Sequence, residues 1–235
     1  VSEQHDSAGP SPRASTAPLA RSPIAPAPPV VVTAGWEVSG RPAGGGAGPA
    51  GLTIADCTPL AKVQLRAPAG GRAAAALGVP FGQAARDAAG TLVVGSGPGE
   101  WLLLGPPGRA ATLAAGLGEI AAQAPGEHLS WVDLTHGRAL IRLTGSSSAS
   151  VLGQVCGIDL SDDITPDRAA FRSSVAALAT DVIRDDRAGQ PGGAAAVRSY
   201  LLHCERSSGQ YLFDVLLRSG AEFGIEIDGF EPPGI

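Results

Sequence analysis

Methionine is absent from the 235 residues, Lys62 is the one lysine, and aromatic side chains make up only 4% of the chain. A core built from such a sequence must be assembled from Leu, Val, Ile and Ala, with Trp101 and Trp131 as core or interface anchors. Cysteine is scarce as well. Cys57, Cys156 and Cys204 stand far apart without a C-x-x-C pair, which excludes a zinc ribbon or a disulfide framework and makes reduced, buried thiols the expectation. Neither the cysteines nor His128 and His136 have metal-ligand spacing, so no metal site is expected. No apolar run reaches the roughly 18 residues of a spanning helix, and no basic segment followed by an apolar stretch opens the chain. A cytoplasmic protein is the expectation. Concentrated positive charge is also missing: 17 basic against 22 acidic side chains give a net charge of −5. With the basic residues scattered, neither nucleic acid nor an anionic membrane surface is an expected partner.

What the chain does have is 44% hydrophobic residues, 33 glycines and 20 prolines, enough for one domain or two small ones. Residues 1–45 are rich in Pro, Ala, Ser and Gly and hold no sustained period, which predicts a disordered arm ahead of a folded domain over 46–235. Val30, Val31, Val32 and Trp36 stand out within that arm as a segment able to dock on a partner or on the domain edge.

Further on, Ala61, Val63 and Leu65 alternate with Lys62, Gln64 and Arg66 in a strand pattern. Gly70–Leu77 reads as a short Ala-rich helix and GVPFG as a turn. Residues 92–95 and 100–104 form a hairpin around Ser96, Gly97, Pro98 and Gly99. A strand follows those glycines where a phosphate loop needs a helix N-terminus, which argues against phosphate binding. Leu113, Leu117, Ile120 and Ala121 predict a helix over 109–123. The carboxylates of Asp162, Asp163 and Asp167 read as a solvated turn, since no EF-hand spacing accompanies them. Two short strands are expected in 171–184, a flexible loop over 185–196 and a strand at 200–204. Within that strand Cys204 should point inward and His203 outward. Ser207 and Gln210 have capping-box spacing before a helix carrying Leu212, Phe213, Leu216 and Leu217, which Gly220 should end. Ile225 and Ile227 make a last short strand.

Residues 130–160, SWVDLTHGRALIRLTGSSSASVLGQVCGIDL, carry the densest polar chemistry. Ala139, Ile141 and Leu143 fall on one face of a strand and Arg138, Leu140 and Arg142 on the other, predicting a half-buried strand with a cationic outer face. Gly145 breaks it, and the hydroxyls of Ser146, Ser147 and Ser148 are placed to cap a following helix. The segment also has a twin. Asp56-Cys57-Thr58 leads into a strand and a small-residue helix just as Asp133-Leu134-Thr135 does, with one extra residue before the second strand. Such duplication argues for one α+β domain with internal pseudo-symmetry.

VDLTHGRALIRLTGSSSASVLGQVCGIDL resembles the Asp-x-Ser, strand, Gly-Pro, helix segment of the folate-dependent aminomethyltransferase superfamily, the glycine-cleavage T-protein class. YLLHCERSSGQYLFDVLLRSGAEFG resembles that superfamily's strand and following helix. Together with DCTPLAKVQLRAP, GVPFG, LVVGSGPGEWLLL and IDLSDDITPDRAAFRSSVA, these segments resemble, in order over residues 52–230, the gamma-subunit family of heterotetrameric sarcosine oxidases. The resemblance implies an α+β, aminomethyltransferase-like folate-binding fold. It implies an accessory subunit of a complex that demethylates sarcosine oxidatively to glycine, with hydrogen peroxide and methylenetetrahydrofolate formed. The implied partners are the alpha, beta and delta subunits. FAD, FMN, NAD and tetrahydrofolate, and the zinc of delta, would lie on those subunits and none on this chain. The alternative it leaves is a stand-alone tetrahydrofolate-binding protein or aminomethyltransferase-like enzyme. Aminomethyltransferases carry a Gly-Tyr-Thr-Gly-Glu-Asp-Gly segment whose glutamate holds the pterin; the corresponding place here is DDRAGQPGGAAAVR, where Asp185 or Asp186 would have to serve from a loop.

The candidate ligand or subunit-contact residues are Asp133, Thr135, His136, Arg138 and Arg142. As a working site, His136 would be a base oriented by Asp133, and the arginines would grip a carboxylate. As structure, Asp133 and Thr135 would bond nearby backbone and the arginines would pair with acids of another subunit. No catalytic residue is assigned.

Overall fold

The alternating residues 61–66 and 138–144 do form strands, but neither has a solvent-facing side through its middle. The computed structural model describes residues 18–41, 51–188, 196–230 and 232. Its first strands are β1 (Ala20–Arg21), β2 (Val30–Thr33), β3 (Trp36–Ser39), β4 (Thr53–Asp56) and β5 (Ala61–Arg66). Helix α1 (Arg72–Leu77) precedes β6 (Ala84–Arg86), β7 (Leu92–Gly97) and β8 (Glu100–Gly105), and α2 (Ala110–Ala122) follows. Next come β9 (Ser130–Asp133), β10 (Arg138–Thr144) and α3 (Ser148–Gly153). The chain then runs through β11 (Ala170–Val175), β12 (Leu178–Arg184), β13 (Ser199–Glu205), α4 (Gly209–Ser219) and β14 (Glu226–Asp228).

A six-stranded sheet in the order β11-β12-β13-β10-β4-β14 lies against a five-stranded sheet in the order β6-β7-β8-β5-β9. The period-2 alternation of side chains explains the layering. From the six-stranded sheet, Ile141, Leu143, Tyr200, Leu202 and Cys204 face Val151 and Leu152 of α3 and Leu212 and Leu216 of α4. From the five-stranded sheet, Val63, Leu65, Val93 and Leu103 face Leu117 of α2. The opposite faces meet each other: Leu92, Val94, Leu102 and Leu104 pack on Leu140, Ile183 and Leu201. The order is therefore helices, sheet, sheet, helices. Each Leu or Ile removed from water in that middle layer contributes about 2 kcal/mol. The expected cationic outer face of β10 is accordingly an inner face, with Leu140 and Arg142 both buried.

The anticipated duplication extends through the whole domain. The run β4-β5-α1-β6-β7-β8-α2 is matched element for element by β9-β10-α3-β11-β12-β13-α4. Each half donates its first strand to the other's sheet: β4 pairs with β10 and β9 pairs with β5, both antiparallel. β14, parallel to β4, has no counterpart among the described residues.

Three local expectations need correction. Residues 18–41 do not belong to an unstructured arm: β1, β3 and β2 form a small sheet that inserts Trp36 and Val38 into the inter-sheet core and Ile24 among the helices. The remainder of that expected arm lies outside the described residues. Three apolar anchors were enough to fix a Pro-rich segment whose average composition hides them. Helix α3 receives no side-chain cap from Ser147, and the Ser207–Gln210 capping box is not made. A 3-10 turn, Arg206–Ser208, leads into α4, and Gln210 instead accepts from Ala25 N at 2.7 Å and donates to Asp214 at 2.8 Å. Finally, His203 does point away from Cys204, yet the face it points to is the other sheet, and only 4% of it is exposed. All three cysteines are free and buried, as composition suggested. Gly145 ends β10 as expected, at φ +136°, where a Cβ would sit 2.6 Å from the Gly51 carbonyl oxygen.

Candidate functional site

Where the chain crosses from one sheet to the other, the two Asp-x-Thr segments make the same bonds. Thr58 N donates to Asp56 Oδ1 at 2.9 Å, and Thr135 N donates to Asp133 Oδ1 at 2.8 Å. These are Asx turns, in which the carboxylate imitates a backbone carbonyl. The hydroxyl of each threonine then serves the opposite half: Leu140 N donates to Thr58 Oγ1 at 3.2 Å, and Lys62 N to Thr135 Oγ1 at 3.1 Å. Even the middle residues agree, since Cys57 N donates to Leu140 O and Leu134 N to Lys62 O, each at 2.8 Å. Lys62 and Leu140 are thus equivalent positions, and the extra residue of the second copy falls between Thr135 and Leu140.

Thr135 thus ties the two halves together through its hydroxyl, while the Asp133 carboxylate closes the turn that presents it. His136 leaves the crossing and stacks on Trp36, ring centroids 4.9 Å apart and planes within 7°. Together with Asp133 and Thr135 it borders a cavity of about 660 Å³ against the N-terminal sheet. The arginines lie elsewhere. Arg138 pairs with Glu205 at 2.5 Å. Arg142 is buried and bonds Asp185 at 3.0 Å and Ser199 Oγ at 3.0 Å. Both therefore have an acid partner within the chain, and the five candidates divide among three places.

Lys62 adds an asymmetry. Its ammonium, wholly buried, donates to the carbonyl oxygens of Thr58 at 2.6 Å and Leu60 at 2.8 Å. Burial pushes its pKa down to about 7, against the pull of Asp56. Asp56 is itself pushed above the usual carboxylate range by burial, although hydrogen bonds from Ser22 and Thr58 oppose this.

At one end of the inter-sheet layer, Asp185 is fully buried beneath three arginines: Arg86 at 2.9 Å, Arg142 at 3.0 Å and Arg168 at 2.6 Å. Its neighbour Asp186 accepts from Arg184 at 2.9 Å and from Ser199 N at 3.1 Å. The sequence placed both on a flexible loop over 185–196; they are instead held by arginines, and residues 189–195 of that loop lie outside the described residues. Neither has a geometry suited to a pterin edge, because both are committed to protein donors, so the residues present do not fit the folate contact that the aminomethyltransferase resemblance implies.

At the other end lies a polar cleft that sequence patterns did not single out. His203 Nδ1 meets Asp181 Oδ2 at 2.9 Å, and Arg172 Nε donates to Asp181 Oδ1 at 2.6 Å. Burial holds the His203 pKa below its ordinary value despite Asp181. Burial alone would raise Asp181, but the hydrogen bonds from His203 and Arg172 outweigh it and hold the carboxyl low. These residues come from strands whose partners are set only by tertiary pairing, since β12 pairs with β13 and β11 with β12. Two signals were available: the ionisable residues Asp181 and His203 inside largely buried strands. Among the described residues no cluster of His, Cys, Asp and Glu could hold a metal ion, and no helix is long and apolar enough to cross a membrane.

No protein-family model matches the chain, and no curated protein matches it. Solved structures do. A chain of the heterotetrameric sarcosine oxidase from Corynebacterium sp. U-96, solved with pyrrole 2-carboxylate, is 26% identical with a TM-score of 0.60, over 75% of this chain and 87% of that one. The glycine cleavage system aminomethyltransferase T from Bartonella henselae is 16% identical with a TM-score of 0.57, over 85% of this chain and 55% of that one, so this chain spans about half of it. The intertwined halves, the layer order and these two likenesses agree: the chain has the α+β, aminomethyltransferase-like fold, shared with a chain of a heterotetrameric sarcosine oxidase.

Proposed function

We propose that this chain is an accessory, non-catalytic gamma-type subunit of a sarcosine oxidase complex, which demethylates sarcosine oxidatively to glycine with hydrogen peroxide and methylenetetrahydrofolate as products. The observation that carries the reading is the 87% coverage of a chain in such a complex at 26% identity. Because the shared residues are a larger fraction of that chain than of this one, the matched chain is the shorter of the two, of a size for a small subunit. Two features of the geometry support it. Asp133 is occupied in its own Asx turn, Thr135 in bonding the other half, and Asp185 and Asp186 in binding arginines. Apolar side chains also remain uncovered on edge strands: Trp131 and Val132 of β9 are 38% and 52% exposed, and Val30, Val31 and Val32 of β2 stand out similarly. Exposed apolar edges of this kind suit burial against other subunits.

In this reading the alpha, beta and delta subunits are the partners, FAD, FMN, NAD and tetrahydrofolate are carried by them, and the complex works in the cytoplasm. Affinity purification of the chain from its native source should recover larger polypeptides with flavin absorbance. A monomer free of flavin refutes the reading. The fold favours a second one, a tetrahydrofolate-binding protein; saturable tetrahydrofolate binding by the isolated chain would establish it in place of the first.

A further inference from the structure

The cleft at the His203 end of the inter-sheet layer encloses about 270 Å³. Three ion pairs border it: Arg66 with Glu100 at 2.7 Å, Arg138 with Glu205 at 2.5 Å, and Arg172 with Asp181 at 2.6 Å. Three guanidinium and three carboxylate groups balance, so the wall is neutral overall yet offers strong donors and strong acceptors within a small space. Each arginine has five N–H donors, more than its one carboxylate partner takes up.

The deepest group is the informative one. His203 is 4% exposed, and because the Asp181 carboxylate can only accept, it is Nδ1–H that donates to it, while burial disfavours a second proton on the ring. Nε2 is then a lone-pair acceptor. It has no partner among the described residues, and neither does Ser96 Oγ on the facing sheet. A buried acceptor left unpaired is costly, so the site is built to receive a donor. A monoanion would leave His203 unmatched and upset the charge balance, and a simple cation would leave the arginines unmatched. A neutral molecule carrying both charges satisfies the whole wall, and the volume lies at the small end of ligand cavities.

We propose that this cleft binds a small zwitterionic amino acid of about the size of glycine or N-methylglycine, with its ammonium donating to His203 Nε2 and its carboxylate taking N–H groups of Arg172 and Arg138. The site stands whether or not the chain assembles into an oxidase, since every group comes from this chain. It is also separate from the Asp185 end of the layer.

The test is calorimetric titration of the full chain, or of the complex it purifies with, using glycine, N-methylglycine, acetate and methylammonium, together with ¹⁵N NMR of the histidine rings. Saturable binding of either amino acid, much weaker binding of acetate and methylammonium, and a shift of the His203 Nε2 resonance are expected. Arg172→Gln, a change at a half-exposed side chain with the fold checked by circular dichroism, should weaken that binding by at least about tenfold, the loss of one charge-assisted hydrogen bond. Absence of saturation at millimolar amino acid overturns the proposal and leaves ordered water as the occupant. Acetate binding as tightly as glycine overturns the zwitterion class. An unshifted His203 resonance, or Arg172→Gln binding like the wild type, places any amino acid elsewhere.

Discussion

The two sheet crossings have the same backbone and different chemistry. Both run Asp-x-Thr, both close an Asx turn, and both send a threonine hydroxyl to the other half. Yet the first is followed by buried Lys62 where the second has Leu140, and Ser22 bonds Asp56 while Asp133 borders an open cavity beside His136. A residue whose twin makes identical contacts in the other half is explained by the fold. What differs between the halves is where function or cost must be sought. By that criterion Thr135 belongs to the joint, and Lys62 is the largest anomaly.

Replacing Lys62 by leucine, the residue of the second crossing, should produce the largest change, and pH exposes it. The unfolded lysine has a pKa near 10.5 and the folded one a value of about 7. Between those limits the unfolded state holds one more proton, so stability rises as pH climbs from about 7 to 10.5 and is lowest below 7, where both states are charged. At 1.36 kcal/mol per pKa unit the full span is roughly 5 kcal/mol. Urea unfolding of the wild type should trace that rise, and Lys62→Leu should flatten it. The slope is the measure to use, because the variant also leaves the Thr58 and Leu60 carbonyls without their donor. A wild type with no dependence on pH in this window would mean that the ammonium is solvated.

The second contrast follows the same equivalence two residues onward, where Arg142 occupies the place that Gln64 has in the first half. Gln64 bonds Glu100 at 3.3 Å at the edge of the cleft, whereas Arg142 is buried against Asp185. Removing one partner of a buried pair costs about 3–5 kcal/mol, and at the cleft edge the cost falls below about 1 kcal/mol. Arg142→Gln should therefore lower the denaturation midpoint far more than Gln64→Ala. Arg86 and Arg168 also hold Asp185 and temper the loss, so a value at the lower end of the range is expected. Equal midpoints would show that the three arginines are interchangeable.

Much of the architecture was legible because it rests on local periodicity. The period-2 runs 61–66 and 138–144, the helix around Leu113 and Leu117, and the repeated Asp-x-Thr each carry their meaning within a few residues. Burial on both sides of β10 was not legible, since whether Arg138, Leu140 and Arg142 face water or a second sheet depends on strands distant in sequence. The cleft failed to appear for the same reason. His203 looked like an outward residue beside an inward cysteine, and only the pairing of β12 with β13 brings Asp181 to it. Residues 18–41 were obscured by averaging: Ile24, Trp36 and Val38 anchor them, while the surrounding prolines set the composition.

Effects smaller than the loss of Arg142 come from the joint itself, and they test whether the two crossings are equivalent in energy as well as in geometry. Thr58→Val and Thr135→Val keep side-chain shape and delete one acceptor each, leaving Leu140 N or Lys62 N unpaired at that hydroxyl. A buried donor so orphaned costs about 1–3 kcal/mol. If the halves are equivalent, the two variants lose similar stability in chemical denaturation at neutral pH. The bonds share no atoms, so the double variant should then lose about the sum of the two. If Lys62 strains its own crossing, Thr135→Val is the milder change, because the bond it deletes is the one made by Lys62 N. A Thr135→Val variant as stable as the wild type, alongside a destabilised Thr58→Val, would show that symmetry in the backbone conceals an unequal division of stability, with the first threonine bearing the joint.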